Sequence, residues 1–236
     1  MAFSPKTVRA QLNMVRPLLD SCSLEKLRKG QSRIGEIMKF HHRHHVLVRE
    51  HAFPGFEAAW VMPKDQRRQG VMLYLHGGGY TCGDLEYARG VGSTLAVECG
   101  IRVFCAAYRL APEHPFPAAV EDALAAYRYL LEKGYAPEHI ALCGESAGGG
   151  LCYSLCMKLR QLDLPLPGCM AQKTTILSAM QRTEASARLR ITMVVFSAES
   201  LPACRFYSAL QSSRLLPLEK NSKASVFLII QMPLWW

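Results

Sequence analysis

Ile140-Ala141-Leu142-Cys143-Gly144-Glu145-Ser146-Ala147-Gly148-Gly149 carries an apolar run straight into glycines set around a single serine. The run Ile140 to Cys143 has the length of a short buried strand. Ala147 to Leu162 places Leu151, Leu155, Leu159 and Leu162 on one face at helical spacing, so Ser146 falls where a strand turns into a helix. Glycine at 144 and 148 removes the β-carbons that would crowd so sharp a turn. The serine between them is then exposed and strained, the context in which a G-x-S-x-G stretch presents a nucleophilic hydroxyl. A helix starting at Ala147 also aims free N–H groups and a positive dipole end at the same point. The plainer alternative is a glycine-rich turn that happens to contain serine. Against it stand the flanking strand and helix and a second glycine loop, His76-Gly77-Gly78-Gly79.

Upstream, Val46 to Val48, Glu57 to Met62 and Val71 to Leu75 read as strands, separated by Pro54-Gly55 and by the polar stretch Pro63 to Gly70. The third delivers the His76 loop. A helix over Leu85 to Glu98 ends near Gly100, Ile101 to Tyr108 is an apolar strand, and Pro117 to Lys133 is a helix with Gly134 just past its end. Strands alternating with helices predict an α/β fold, a mostly parallel sheet with helices on both faces, and function at the carboxyl ends of the strands. Both glycine motifs fall at such ends.

Residues 6–19 and 24–40 are expected to form two amphipathic helices able to cover a pocket, the second capped by Ser23 but weakened by Gly30 and Gly35. His41, His42, His44 and His45 then flank Arg43. On a strand His42 and His44 would share a face, yet no cysteine or carboxylate lies nearby in sequence to complete a tetrahedral site, so a solvated segment entering the first strand is expected and no metal.

With 236 residues, half of them hydrophobic, the chain has enough material for one large domain. The net charge of +9 divides into +4 over residues 1–170 and +5 over residues 171–236, with no basic stripe interleaved with aromatics, so nucleic-acid binding is not indicated. Nine cysteines without a C-x-x-C pair read as buried thiols of a reducing compartment, and the first twenty residues lack the continuous apolar core of a secretory signal. The apolar ending Val226 to Trp236 is shorter than the ~20 residues of a membrane-spanning helix. A cytoplasmic location is expected. Residues 171–236 contain no Gly, Asp or His but nine serines, and read as weakly structured or as a lost reading frame.

A serine oxygen attacking an ester carbonyl builds negative charge on the carbonyl oxygen. N–H groups of the glycine loop and of Ala147, the residue after the nucleophile, are placed to stabilise it. The serine also needs a base, normally a histidine held by a carboxylate and following it in the chain. No histidine follows His139. Asp163 lies seventeen residues on, about 25 Å along a helix at ~1.5 Å per residue, and Glu184, Glu199 and Glu219 are carboxylates without a histidine. Upstream, His76 and His114 fit loop-fixing hydrogen bonds better than the geometry of a base.

His76-Gly77-Gly78-Gly79, Tyr108-Arg109-Leu110-Ala111-Pro112-Glu113-His114-Pro115-Phe116-Pro117 and Gly144-Glu145-Ser146-Ala147-Gly148-Gly149 together resemble the hormone-sensitive-lipase family of α/β-hydrolases, its bacterial carboxylesterases in particular. The likeness covers roughly residues 1–170. It implies N-terminal cap helices over residues 1–45, a hydrolase core over 46–170, and hydrolysis of short-to-medium acyl esters without a cofactor. It also implies Ser146 as nucleophile with Gly78, Gly79 and Ala147 as oxyanion donors, and a loop-bracing role for Arg109 and Glu113. Residues 171–236 depart from the family, where its catalytic aspartate and histidine loops would follow. The expectations are a sheet edge left bare beside Ile140 to Cys143 and an impaired esterase. The alternatives are a non-catalytic acyl-pocket protein, self-associating through the apolar tail, or an unstable gene fragment.

Overall fold

The structure is a computed structural model in which residues 23–173, 188–195 and 226–233 are described; the helix expected over 6–19 lies outside them. The strands are β1 (Val46–Phe53), β2 (Phe56–Pro63), β3 (Val71–Leu75), β4 (Arg102–Ala107), β5 (Ile140–Glu145), β6 (Cys169–Lys173), β7 (Arg188–Val195) and β8 (Val226–Pro233). They form one sheet in the order β1-β2-β4-β3-β5-β6-β7-β8. The central four run parallel, and an antiparallel pair flanks them on each side. The helices are α1 (Leu24–His42), α2 (Leu85–Cys99), α3 (Ala118–Glu132) and α4 (Ala147–Gln161).

Alternation along the strands builds two apolar layers. On one face Met72 and Tyr74 of β3 join Val103 and Cys105 of β4 beneath Val91 and Leu95 of α2. On the other, Val71, Leu73 and Leu75 join Phe104 and Leu142 beneath Tyr127 and Leu130 of α3 and Leu151, Leu155 and Leu159 of α4. All five residues of β3 are buried, as a central strand covered on both faces requires. Each such side chain contributes about 1.5 to 3 kcal/mol by leaving water. Leu162 departs from the expected stripe: α4 ends at Gln161, and Leu162 is exposed just beyond it.

The ends of the helices follow local chemistry. The Ser23 hydroxyl accepts from Lys26 N–H at the start of α1, and the Asp84 carboxylate accepts from Tyr87 N–H at the start of α2. Gly100 closes α2 in the left-handed conformation. Gly35, which weakens α1 as an isolated helix, is where α1 crosses α2: a Cβ on it would stand 2.4 Å from Tyr87 Cα. His41 and His42 extend the last turn of α1, and His44 and His45 sit in the turn after it, so the cluster ends a helix rather than starting a strand.

The bare edge expected beside Ile140 to Cys143 is not found. β6 pairs with β5 in parallel from Ala141↔Cys169 to Glu145↔Lys173, and β7 and β8 continue the sheet beyond it. The seven described cysteines, at 82, 99, 105, 143, 152, 156 and 169, are buried thiols. Burial raises the Cys99 and Cys156 thiols to about 11, against reactivity.

Candidate active site

β3 and β5 are parallel neighbours with Leu75 opposite Gly144, so the His76 loop and the Ser146 turn leave the sheet side by side. Ser146 adopts φ 50° and ψ −119°, a conformation that costs a non-glycine residue strain, and its side chain is exposed and caps nothing on α4. Contacts on both sides hold the turn there. A Cβ on Gly148 would stand 2.0 Å from Leu75 O, so no larger residue lets α4 start this close to β3. As the first residue of α4, Ala147 has an N–H without an intrahelical acceptor.

The neighbouring loop is as tightly folded. Gly78 O accepts from Thr81 N–H and Cys82 N–H, at 3.1 and 2.9 Å. This turn needs Gly78 at φ 127°, where a Cβ would fall 2.2 Å from Cys82 O. Gly79 follows at φ 63°. Ser146, Ala147, Gly78 and Gly79, all singled out from sequence, therefore lie at the adjoining carboxyl ends of two paired strands.

Glu145 ties the two loops together. Its buried carboxylate accepts from Gly77 N–H at 2.7 Å, Tyr74 OH at 2.7 Å and Tyr87 OH at 3.1 Å. One side chain of the serine turn thus fixes the first peptide of the glycine loop. Burial, and next the Glu145 charge, push both tyrosine hydroxyls above their ordinary pKa, so they stay neutral donors. Sequence reasoning missed this hub, whose one visible signal is a carboxylate closing an otherwise apolar strand.

His76 serves the loop's geometry. It is fully buried, stacked on Tyr108 with ring centroids 4.2 Å apart, and its Nδ1 lies 2.9 Å from Gly77 O, while Tyr108 OH donates to His76 O at 2.6 Å. Burial lowers its pKa to about 4, outweighing the backbone hydrogen bond, so the ring is neutral near pH 7.

Helix α1 lies over this loop. Gln31 Nε2 donates to Gly77 O at 3.1 Å; Arg28 donates to Thr81 O and Ala111 O and binds Glu113 through both terminal nitrogens, at 2.7 and 2.8 Å. Arg109 in turn grips the buried Asp122 of α3 through Nε and Nη2. Arg109 and Glu113 thus brace the loop between α1 and α3. A cleft of about 470 Å³ opens between Arg28, Tyr108, Arg109 and the start of α2.

The other candidates are not gathered here. Asp163 sits in the turn beyond α4, at the far end of the helix from Ser146, and His114 is exposed in the Glu113 loop. Glu184, Glu199 and Glu219 lie outside the described residues. Among the described residues no three of His, Cys, Asp and Glu converge as metal ligands, and no helix is long and apolar enough to cross a membrane.

A sequence model for the α/β-hydrolase fold matches residues 72–215. The chain belongs to the α/β-hydrolase family. The match takes in the sheet from β3 to β7 and runs on to residue 215. An acetyl-hydrolase of Streptomyces hygroscopicus is 47% identical over 110 residues, 47% of this chain and 36% of its own length. An ethyl acetate hydrolase of Pseudomonas putida is 41% identical over 102 residues, 41% of this chain and 32% of its own. The crystal structure of an esterase from the bacterial hormone-sensitive lipase family superposes with a TM-score of 0.55 at 37% identity, covering 72% of this chain and 57% of that one. These likenesses place the chain with the esterases of the hormone-sensitive-lipase type, whose members are carboxylic ester hydrolases. The α/β-hydrolase matched here spans about a third of the length of those two curated relatives.

Proposed function

We propose that this chain is the nucleophile-bearing part of a serine carboxylesterase acting on short-to-medium acyl esters. Ser146 Oγ attacks the ester carbonyl, and the N–H groups of Gly78, Gly79 and Ala147 receive the oxyanion. The observation that carries this reading is the strained, exposed Ser146 at the start of α4, beside a glycine loop held by Glu145. The acetyl-hydrolase and ethyl acetate hydrolase among the relatives support small acyl groups. Each oxyanion donor is worth about 3 to 4 kcal/mol of barrier.

The serine proton needs an acceptor, and residues 147–236 contain no histidine. His76 is buried against Tyr108 and its Nδ1 is taken by Gly77 O. The 236-residue chain alone is therefore expected to turn over at the ~10³- to 10⁴-fold level over water left by an oxyanion hole and binding without a working triad. The test is hydrolysis of p-nitrophenyl acetate by the purified chain and by Ser146→Ala, each with and without added imidazole. Slow turnover that imidazole raises in the unsubstituted chain but not in Ser146→Ala supports the reading. Fast turnover abolished by Ser146→Ala refutes the missing base, and identical rates in the two chains refute the nucleophile. A reducing, cytoplasmic setting fits the buried thiols.

A second reading, self-association, is favoured by β8: it is the outermost strand of the sheet, and Val226-Phe227-Leu228-Ile229-Ile230 is continuously apolar. Sedimentation of the chain and of Ile229→Lys decides it, since equal mass in both rules this edge out.

A further inference from the structure

A cleft of about 600 Å³ lies between the β1–β2 hairpin and the end of α3, away from Ser146. Arg102 on its rim opens β4, level with Val71 of β3 and through it with Ile140 of β5. Ser146 comes six residues after Ile140, so at ~3.3 Å per strand residue the cleft and the serine are separated by about 20 Å. It sits at the amino ends of the parallel strands, the opposite edge of the sheet from the glycine loops.

Its walls are aromatic. His51 stacks on Tyr129 at 4.3 Å between centroids, Trp60 lies 27° from parallel to Tyr135 at 6.0 Å, and Trp60 Nε1–H donates to Tyr129 OH at 3.3 Å. All four residues line the cleft and are only partly buried.

Its rim is cationic. Arg49, Arg102 and Lys133 line it, and none of the three is paired with a carboxylate among the described residues. Arg102 is held by neutral partners, Gln66 Oε1 at 2.9 Å and Tyr135 OH at 3.3 Å, which orient it without neutralising it. The Lys133 ammonium stands 5.3 Å from the Tyr129 ring. Glu50, the acid among the lining residues, is bound 2.6 Å away by Arg89 of α2. Flat apolar walls with convergent unneutralised cations, in a volume within the range of small-molecule sites, suit a ligand with a ring and a negative charge.

We propose that this cleft binds a planar aromatic anion, its ring against Trp60, Tyr129 and Tyr135 and its carboxylate or phosphate among Arg49, Arg102 and Lys133. The site stands independently of the chemistry at Ser146. Calorimetric titration of the full chain with 2-naphthoate and with phenyl phosphate tests it and separates the two kinds of anion. Cyclohexanecarboxylate and 2-naphthalenemethanol serve as the non-aromatic and uncharged controls. At least one aromatic anion should saturate at a Kd below about 1 mM, and each control should bind at least tenfold more weakly. The exposed substitutions Arg102→Gln and Lys133→Gln should each weaken the anion roughly tenfold, as loss of one charge-assisted bond does, while Ser146→Trp leaves it unchanged. Failure of both aromatic anions to saturate overturns the proposal. So does binding insensitive to Arg102→Gln and Lys133→Gln, or binding lost in Ser146→Trp.

Discussion

Acidification from pH 7 to pH 4 should remove about 3 kcal/mol of stability through His76 alone. In the folded chain its ring is enclosed against Tyr108, with Gly83 so close that a Cβ there would stand 2.1 Å from the ring. Burial holds its pKa at about 4, against 6.5 for the exposed side chain. The unfolded chain therefore takes up a proton from about pH 6.5 downward while the folded chain does not, and folding weakens until the folded-state pKa is reached. A difference of roughly 2.5 pKa units at 1.36 kcal/mol per unit gives about 3 kcal/mol in full and about 2 kcal/mol by pH 5. That is a large share of the ~5 to 15 kcal/mol that holds a typical domain together. Burial also lowers His42 and His51, which adds to the same trend, whereas Glu113, lowered to about 2 chiefly by its Arg28 hydrogen bonds, acts only as pH falls below about 4.5. The assay is urea unfolding followed by circular dichroism at several pH values between 7.5 and 4, on the chain and on His76→Asn, whose side chain can still donate toward Gly77 O but cannot take a proton. A uniform loss of stability on substitution leaves the test intact, because the slope is what is read. Curves that fall in parallel for the two proteins between pH 6.5 and 4 would refute the reasoning.

Gly148→Ala should destabilise the chain by about 3 kcal/mol or more, since the new methyl meets Leu75 O at 2.0 Å and α4 must move off β3; thermal melts measure it, and an unchanged midpoint would contradict the packing described. Glu145→Ala strands Gly77 N–H and Tyr74 OH, at a cost of about 1 to 3 kcal/mol for each group left without a partner, and takes from Tyr87 OH one of its partners. Its check is urea unfolding together with faster amide exchange at Gly77, and a loss below 1 kcal/mol would count against the hub. Ser146→Gly should stabilise by about 1 kcal/mol, because glycine adopts φ 50° without strain. A raised melting temperature is the expected reading and a lowered one the contrary result.

Where apolar period and glycine position coincide, the sequence is a sufficient guide. Val71 to Leu75 forms β3 with those bounds, and Gly100 and Gly134 lie just past the ends of α2 and α3. β1 runs five residues beyond Val48 because the antiparallel partner β2 supplies hydrogen bonds to Arg49, Glu50 and His51, residues with no strand signal of their own. Gly35 illustrates the opposite limit: as a helix residue it reads as a defect, and only its contact with Tyr87 explains it. The serine and its glycine loop were legible because they are local motifs. Glu145, Tyr74, Tyr87 and Gln31 were not, since they meet only after β3, α2 and α1 are assembled. β6 as a partner of β5 was not legible because residues 171–236 carry no Gly, Asp or His to mark turns, whereas Gly168 N–H returns to Pro137 O and Ile140 O and starts a further strand.

The connections around Glu145 separate two requirements of ester hydrolysis that a triad usually merges. Positioning of the serine and glycine loops depends on β3, β5, the Glu145 carboxylate and the overlying Gln31, all within residues 31–148. The serine turn needs no histidine to hold its shape: Ser146 is kept exposed by Gly144, Gly148 and the start of α4. Proton transfer, by contrast, needs a base that this set does not contain, since its one histidine, His76, is spent fixing the loop and stays neutral above about pH 4. The electrostatic part of the site can therefore be complete while the proton-transfer part is not. That ordering accounts for tightly specified glycines beside an exposed serine whose hydroxyl bonds to no side chain or backbone group among the described residues.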